Sequence, residues 1–220
     1  FDNVTGVQTC ALPILPSTTM FNNAFLVYML PQSLVVTSVI TALFTRMSEK
    51  AAAGDREGVR DDLSLGLRSV AVFTVLASVG ISVLATPALQ AFVPSISLAE
   101  ATASAPVLVA LALGIVPQGF WFTTQRVMLA YADTRRLLRA DATVGIVPVI
   151  LAIIAYNFAP ADHWMVWAAA GSSVATVAGS IVVTPLVRRH IPGIDGRRVL
   201  STHLRLYAAS LSIIDRKSVV

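Results

Sequence analysis

The placement of charge constrains this chain more than any other sequence feature. Charged residues make up 13% of its 220 residues and hydrophobic residues 55%, whereas a soluble domain has about 25% charged residues. The charges are clustered, so long apolar runs separate them. About 20 mostly apolar residues are needed to cross the hydrocarbon of a bilayer. Five runs qualify, at about 19–44, 70–93, 103–124, 142–159 and 164–187. The sequence therefore predicts an all-α, polytopic membrane protein with about five spans.

The basic residues occur only on alternate connections between these runs. Outside the last six residues, every Lys and Arg follows the first, third or fifth run, at positions 46, 50, 56, 60, 68, 126, 135, 136, 139, 188, 189, 197, 198 and 205. The connections near 94–102 and 157–163 have none. Because basic residues favour the cytoplasmic side, the first span is predicted to enter from outside. One inner membrane face accounts for the net charge of +4, so no nucleic-acid partner is predicted.

Both ends of the chain read as translated sequencing adapter rather than protein. Two segments match translated short-read adapter sequence, one at each end: Val4 to Ile14, VTGVQTCALPI, and Asp215 to Val220, DRKSVV. We therefore expect adapter at 1–14 and 214–220, a helix bundle at 15–187, and a cytoplasmic basic segment with the start of another helix at 188–213. The single cysteine, Cys10, lies in adapter, so no disulfide or thiolate chemistry is predicted.

The first span has a polar component around a proline. A proline inside a membrane helix frees a backbone carbonyl, which is tolerated where neighbours or water satisfy it. The polar side chains fit two interpretations equally: they line an aqueous substrate cavity, or they hydrogen-bond to neighbouring helices. The candidate cavity residues are Asn22, Asn23, Tyr28, Pro31 and Gln32.

Three arginines near the inner ends of the spans are candidate inner-face residues: Arg46, Arg126 and Arg135. Arg126 is the nearest to a span interior. Snorkelling of its side chain to the interface is favoured over substrate binding.

The inner connection 48–68 has its own helical pattern. Asp55 follows Gly54 and can cap a helix start, and Val59, Leu63 and Leu67 recur at a spacing of four. The pattern fits an amphipathic helix on the inner leaflet that leads into the next span, or a solvated connector helix.

No catalytic constellation is present in the sequence. His163, His190 and His203 are isolated, and no Ser-His-Asp arrangement, phosphate-binding loop or metal-ligand spacing occurs. The sequence therefore predicts a protein that is not an enzyme, with no catalytic residue, no metal site and no cofactor.

Two motifs resemble one protein family. The first comprises Leu30-Pro31, 41–44 and Gly54-Asp55, followed by 65–68, LGLR; the second is 126–135, RVMLAYADTR. Both are similar to motifs of the MurJ (MviN) lipid II flippases, which belong to the multidrug/oligosaccharidyl-lipid/polysaccharide exporter superfamily.

The resemblance implies a fold of fourteen membrane helices, in which this chain supplies helices eight to twelve of the second lobe. It also implies a multi-pass protein of the bacterial plasma membrane that flips lipid II, the undecaprenyl-linked peptidoglycan precursor, by alternating access. Membrane lipids and that precursor are the implied partners, and the oligomeric state stays open. Of the helices that line the family's cavity (one, two, seven and eight), only the last is present.

The chain departs from the family at one informative place. Many members have an Asp-Arg pair in helix eight, where this chain has Phe25 and Leu26. Two alternatives therefore remain: an exporter of another polyprenyl-linked oligosaccharide or a drug, and a non-transporting membrane scaffold.

Overall fold

A computed structural model of the protein describes residues 18–160, 163–194 and 196–217. Five helical stretches in these ranges are long and apolar enough to cross a membrane, which confirms the predicted all-α membrane fold. The elements are α1 (Thr18–Pro31), a π-helical segment (Gln32–Val36), α2 (Thr37–Ala52), α3 (Arg56–Val83), α4 (Ala85–Phe92), α5 (Leu98–Ala112), α6 (Ile115–Ala130), α7 (Thr134–Phe158), α8 (Trp164–Val187) and α9 (Gly196–Lys217).

The five spans correspond closely to the predicted apolar runs. The first consists of α1, the π-helical segment and α2, the third of α5 and α6, and the others of α3, α7 and α8 alone. The second span differs most. It begins at Arg56 instead of residue 70 and ends at Val83, after which α4 forms a separate short helix.

The structure agrees with one part of the prediction for the inner connection 48–68 and corrects another. Asp55 does cap a helix, because its carboxylate accepts the Gly58 N–H at 2.8 Å. That helix is α3 itself, which continues into the membrane. Val59, Leu63 and Leu67 are 0%, 0% and 2% exposed, because they pack in a core with residues of α2 and α6. The apolar stripe therefore faces the protein, rather than the leaflet or the solvent.

The described bundle has two large apolar cores, named inner and outer after the predicted orientation, and a small cluster of Val36, Ile40 and Val70. The inner core joins Met47, Leu63 and Met128 with residues of α7, α8 and α9. The outer core joins Val27, Leu89 and Leu108. In lateral order, α2 packs on α3, α3 on α6, α6 on α8, and α8 on α7. Only 11% of the residues in the most apolar part of α7 are buried. This helix therefore lies at the edge of the described bundle.

Serines of neighbouring helices bridge the break in the third span. At Leu113–Gly114 the helix restarts, and the Gly114 N–H turns to the Leu111 carbonyl (2.8 Å), which leaves nearby carbonyls without their helical donors. Hydroxyl groups from other spans take their place: Ser78 of α3 donates to the Ala112 carbonyl (2.8 Å), and Ser173 of α8 to the Ala110 carbonyl (2.6 Å). Interhelical hydrogen bonds thus satisfy backbone that no water reaches in hydrocarbon.

Two turns on the basic side of the bundle have the same construction. After α2, Gly54 has a φ of 74°, and the Asp55 N–H donates to the Lys50 carbonyl at 2.9 Å. After α6, Ala132 has a φ of 52°, and the Asp133 N–H donates to the Met128 carbonyl at 2.9 Å. Each is a Schellman C-cap whose last aspartate caps the next helix.

The last helix begins earlier than the sequence suggests. The sequence predicts a basic segment at 188–213 with a further helix beginning where the chain turns apolar again, near Leu206, whereas α9 starts at Gly196. It packs on α3, with Val199 6% exposed in the inner core.

Candidate functional site

The first span changes its helical winding directly after Pro31. The π-helical segment covers Gln32–Val36, and both the backbone N–H and the hydroxyl of Thr37 reach the Gln32 carbonyl, the hydroxyl at 3.2 Å. Single π-helical turns inside α-helices are rare and often occur at functional sites. The extra residue in the turn rotates the inner half of the span relative to the outer half.

The structure separates the predicted cavity residues into two environments. Asn22 is exposed, and Asn23 and Pro31 are half-buried. Tyr28 and Gln32 are 6% and 4% exposed. The five residues therefore do not form one polar surface.

The two buried members have different surroundings. Tyr28 belongs to the outer core, with its ring 5.6 Å from that of Phe25. Neither side-chain amide atom of Gln32 has a hydrogen-bond partner among the described residues. An unpaired buried amide costs free energy, so Gln32 is a group that a partner outside the described residues would stabilise.

The exposed side of the first span bears hydroxyl groups that the sequence analysis did not single out. Ser33, Ser38 and Thr41 are exposed, and each donates to a carbonyl of its own helix at 2.8–3.2 Å. Their spacing of three to five residues, which places side chains on one side of a helix, could have indicated this polar face. Phe25 and Leu26, at the place of the family's charged pair, are 40% and 62% exposed.

At the inner end of the first span, Arg46 takes part in an ion-pair cluster around a buried carboxylate. Its guanidinium lies 3.0 Å from a carboxylate oxygen of Asp62 in α3, and the Lys50 Nζ lies 2.8 Å from the other oxygen. The Asp62 side chain is 4% exposed, whereas those of Arg46 and Lys50 are 57% and 31% exposed. Lys50 also donates to the Gly58 carbonyl at 3.3 Å. The cluster holds the inner ends of α2 and α3 together.

The other two predicted basic residues have separate surroundings. The Arg126 guanidinium carbon lies 5.9 Å from the centre of the Phe44 ring, within the range of a cation–π contact. Its Nε has no hydrogen-bond partner among the described residues. Arg135 is exposed at the start of α7. The structure therefore does not gather Arg46, Arg126 and Arg135 into one site.

The turn between α6 and α7 holds a second charged cluster, which the sequence analysis missed. The Asp133 carboxylate accepts from Arg136, and it lies 2.9 Å from the His190 Nε2. The His190 ring stacks on Tyr131, with centroids 4.7 Å apart. Partial burial of Asp133 opposes its ionisation, but these hydrogen bonds outweigh burial and hold its pKa below the usual range. Since His190 lies 57 residues from Asp133, spacing alone gave no signal for the pair.

The site contains no arrangement typical of metal-assisted catalysis. In the ranges 18–160, 163–194 and 196–217, no group of three His, Cys, Asp or Glu side chains could hold a metal ion.

These features define a class: a multi-span α-helical membrane protein with basic residues at one end of its spans and an interrupted first span. A family model described as "Lipid II flippase MurJ" matches residues 14–215. The chain belongs to this family. The match leaves out residues 1–13 and 216–220, most of the two segments attributed to adapter, and that attribution stays a prediction.

A solved structure shares the fold. It is described as "Lipid II flippase MurJ, inward closed conformation", with a TM-score of 0.75 and 22% sequence identity. The similarity covers 89% of this chain and 40% of the other, so this chain spans well under half of that protein. No curated protein matches the chain in sequence.

Proposed function

We propose that this chain is part of a flippase that moves lipid II across the bacterial plasma membrane by alternating access. The observation that carries the proposal is the family match, which extends over residues 14–215. The exposed face of the first span supports it, because hydroxyl groups and Asn22 occur there beside apolar residues. Such a mixed face suits a substrate with a polar headgroup and a lipid tail. The protein would act without covalent chemistry.

In this proposal, Asn22 and the exposed hydroxyl groups line the cavity, whereas Tyr28 and Gln32 support the span from behind. Pro31 and the π-helical segment set the angle between its two halves. Arg46 steadies the inner end through Asp62, rather than binding substrate directly.

The coding sequence that flanks the chain provides the first test. Fourteen spans, with basic residues in the first two, would support lipid II as the substrate. Twelve spans, or a neutral or acidic cavity, would favour another exporter of the superfamily. The alternative rests on one observation: Phe25 and Leu26 are exposed where many family members have an Asp-Arg pair.

Cysteine accessibility in the full-length protein tests the assignment of the cavity face. In a full-length background without other cysteines, Asn22→Cys should react with a hydrophilic maleimide, and added lipid II should slow the reaction. Tyr28→Cys, one of the buried positions, is the matched control and should react slowly under both conditions. Equal rates at the two positions would contradict the assignment. Protection by an oligosaccharide lipid that lacks the peptide, but not by lipid II, would favour the alternative substrate.

A further inference from the structure

A basic cavity of about 430 Å³ lies beside the turn between α6 and α7, away from the first span. Its charged lining comes from the start of α7 and the segment that follows α8: Asp133, Arg135, Arg136, Arg139, Arg189 and His190. The first span contributes no residue to this lining.

The acidic residue of the cavity is already neutralised by its neighbours. Asp133 accepts hydrogen bonds from Arg136 and caps α7 through the Arg136 N–H (3.3 Å), and it also contacts His190. The stacked ring of Tyr131 holds His190 in place. These contacts fix the positions of Asp133 and His190, and they leave the Asp133 carboxylate unavailable to the other arginines of the cavity.

Three arginines of the same cavity have no acidic partner in the described parts of the chain. Arg135, Arg139 and Arg189 are exposed, and no described carboxylate lies within ion-pair distance of their side chains. Guanidinium groups bind phosphate through paired N–H donors, with a geometry and strength that a lysine cannot reproduce. The cavity therefore has unused donors for an anion with several oxygens.

The position of the cavity indicates where that anion comes from. The cavity lies where α6 ends, α7 begins and α8 ends, at the basic inner end of three spans. Directly beside it, α7 exposes apolar side chains, with Leu138 68% and Ile146 57% exposed. A molecule with a phosphate at the cavity and hydrocarbon along α7 would contact both surfaces, which free phosphate cannot do.

We propose that this cavity binds the phosphate headgroup of an anionic phospholipid of the inner leaflet, while the acyl chains of that lipid cover α7. Basic pockets between membrane helices on the cytoplasmic side are suited to lipid headgroups. The proposal concerns a resident lipid and does not depend on which substrate the protein moves.

Binding of short-chain lipids to the purified chain in a zwitterionic detergent tests the proposal. Dihexanoyl phosphatidylglycerol should bind, and dihexanoyl phosphatidylcholine should bind far more weakly. The double variant Arg139→Gln/Arg189→Gln should weaken phosphatidylglycerol binding about a hundredfold, since each charge-assisted contact contributes about tenfold. The control Arg68→Gln/Arg205→Gln removes the same charge from exposed residues outside the cavity, and it should bind like the parent chain.

Several outcomes would overturn the proposal. Equal weakening in the two double variants would show only general surface attraction. Inorganic phosphate or glycerol phosphate binding as tightly as the lipid would show a site for a soluble anion. If the double variant does not fold, the single variant Arg135→Gln replaces it, and unchanged lipid binding by a folded Arg135→Gln chain would also contradict the site.

Discussion

Two neighbouring aspartates at the inner end of α3 have opposite environments. Asp62 is 4% exposed and contacts Arg46 and Lys50, whereas Asp61 is 74% exposed and lies 3.8 Å from Arg60. Replacing Asp62 with alanine leaves two cations without their partner, but their partial exposure lets water compensate in part. We expect Asp62→Ala to lower the free energy of unfolding by about 1–2 kcal/mol. Unfolding in mixed micelles with increasing dodecyl sulfate measures the effect.

The adjacent control has the same chemistry and a different exposure. Asp61→Ala should change the free energy of unfolding by less than about 0.5 kcal/mol. If both variants lose the same stability, the ion-pair cluster is not what joins α2 to α3.

The two left-handed turn residues give a prediction with opposite signs. Gly54 has a φ of 74° with open space where a Cβ would lie, and Ala132 has a φ of 52°. A left-handed backbone conformation destabilises a residue with a Cβ by about 1–2 kcal/mol relative to glycine. Glycine has a more flexible unfolded state, which offsets about 0.4–1 kcal/mol of this difference. Thermal unfolding in detergent should therefore show Gly54→Ala less stable and Ala132→Gly more stable than the parent chain. Shifts of the same sign would show that backbone strain does not govern these turns.

At the scale of helices, α7 and α8 approach each other closely at Gly179. A Cβ at Gly179 would lie 2.3 Å from the Val144 Cγ2 and 3.2 Å from the Trp121 ring. Gly179→Ala should therefore cost about 1–3 kcal/mol of stability through overpacking.

Gly145 follows Val144 on α7 and has nothing within 4 Å of its missing Cβ. Gly145→Ala should stabilise the helix by about 0.5–1 kcal/mol, and a loss at Gly145 as large as at Gly179 would argue against close helix contact.

The break in the third span gives a second prediction about elements. Ser173 donates across helices to the Ala110 carbonyl (2.6 Å), whereas its neighbour Ser172 donates to Ala168 within α8 (3.2 Å). Interhelical hydrogen bonds in membranes contribute about 0.6 kcal/mol on average and at most about 1.7 kcal/mol. The short Ser173 bond serves a carbonyl freed by the break, so Ser173→Ala should lose about 1–1.7 kcal/mol in a dodecyl sulfate titration. Ser172→Ala should be nearly neutral, and equal losses would mean that the bridge does not stabilise the break.

At the scale of the molecule, the number and type of spans were predictable, because hydrocarbon excludes unpaired charge. The charged segment before the second span was harder to interpret, because the helix of that span already begins at Arg56. Residues 56–69 hold several charges, yet Asp62 is buried because Arg46 and Lys50 of another helix neutralise it. A single sequence does not show which charges meet.

The candidate cavity was harder to predict than the fold. Asn22 and Gln32 both lie within the first apolar run, but the structure exposes one and buries the other. Their facing depends on the π-helical segment, whose extra residue changes the helical register. The contact between Asp133 and His190 joins segments that are 57 residues apart. It was equally hard to predict from the sequence.

The orientation of the whole molecule follows from its charge and can be measured directly. With Cys10 replaced by serine, Ser95→Cys lies between α4 and α5, and Glu57→Cys lies at the start of α3; both positions are exposed. Because all the basic connections are predicted to be cytoplasmic, an impermeant maleimide added to intact spheroplasts should label Ser95→Cys and spare Glu57→Cys. Permeabilisation should then allow both to react, which controls for intrinsic reactivity. Labelling of Glu57→Cys in intact spheroplasts would reverse the assigned orientation, and with it the inner-leaflet position of the basic cavity.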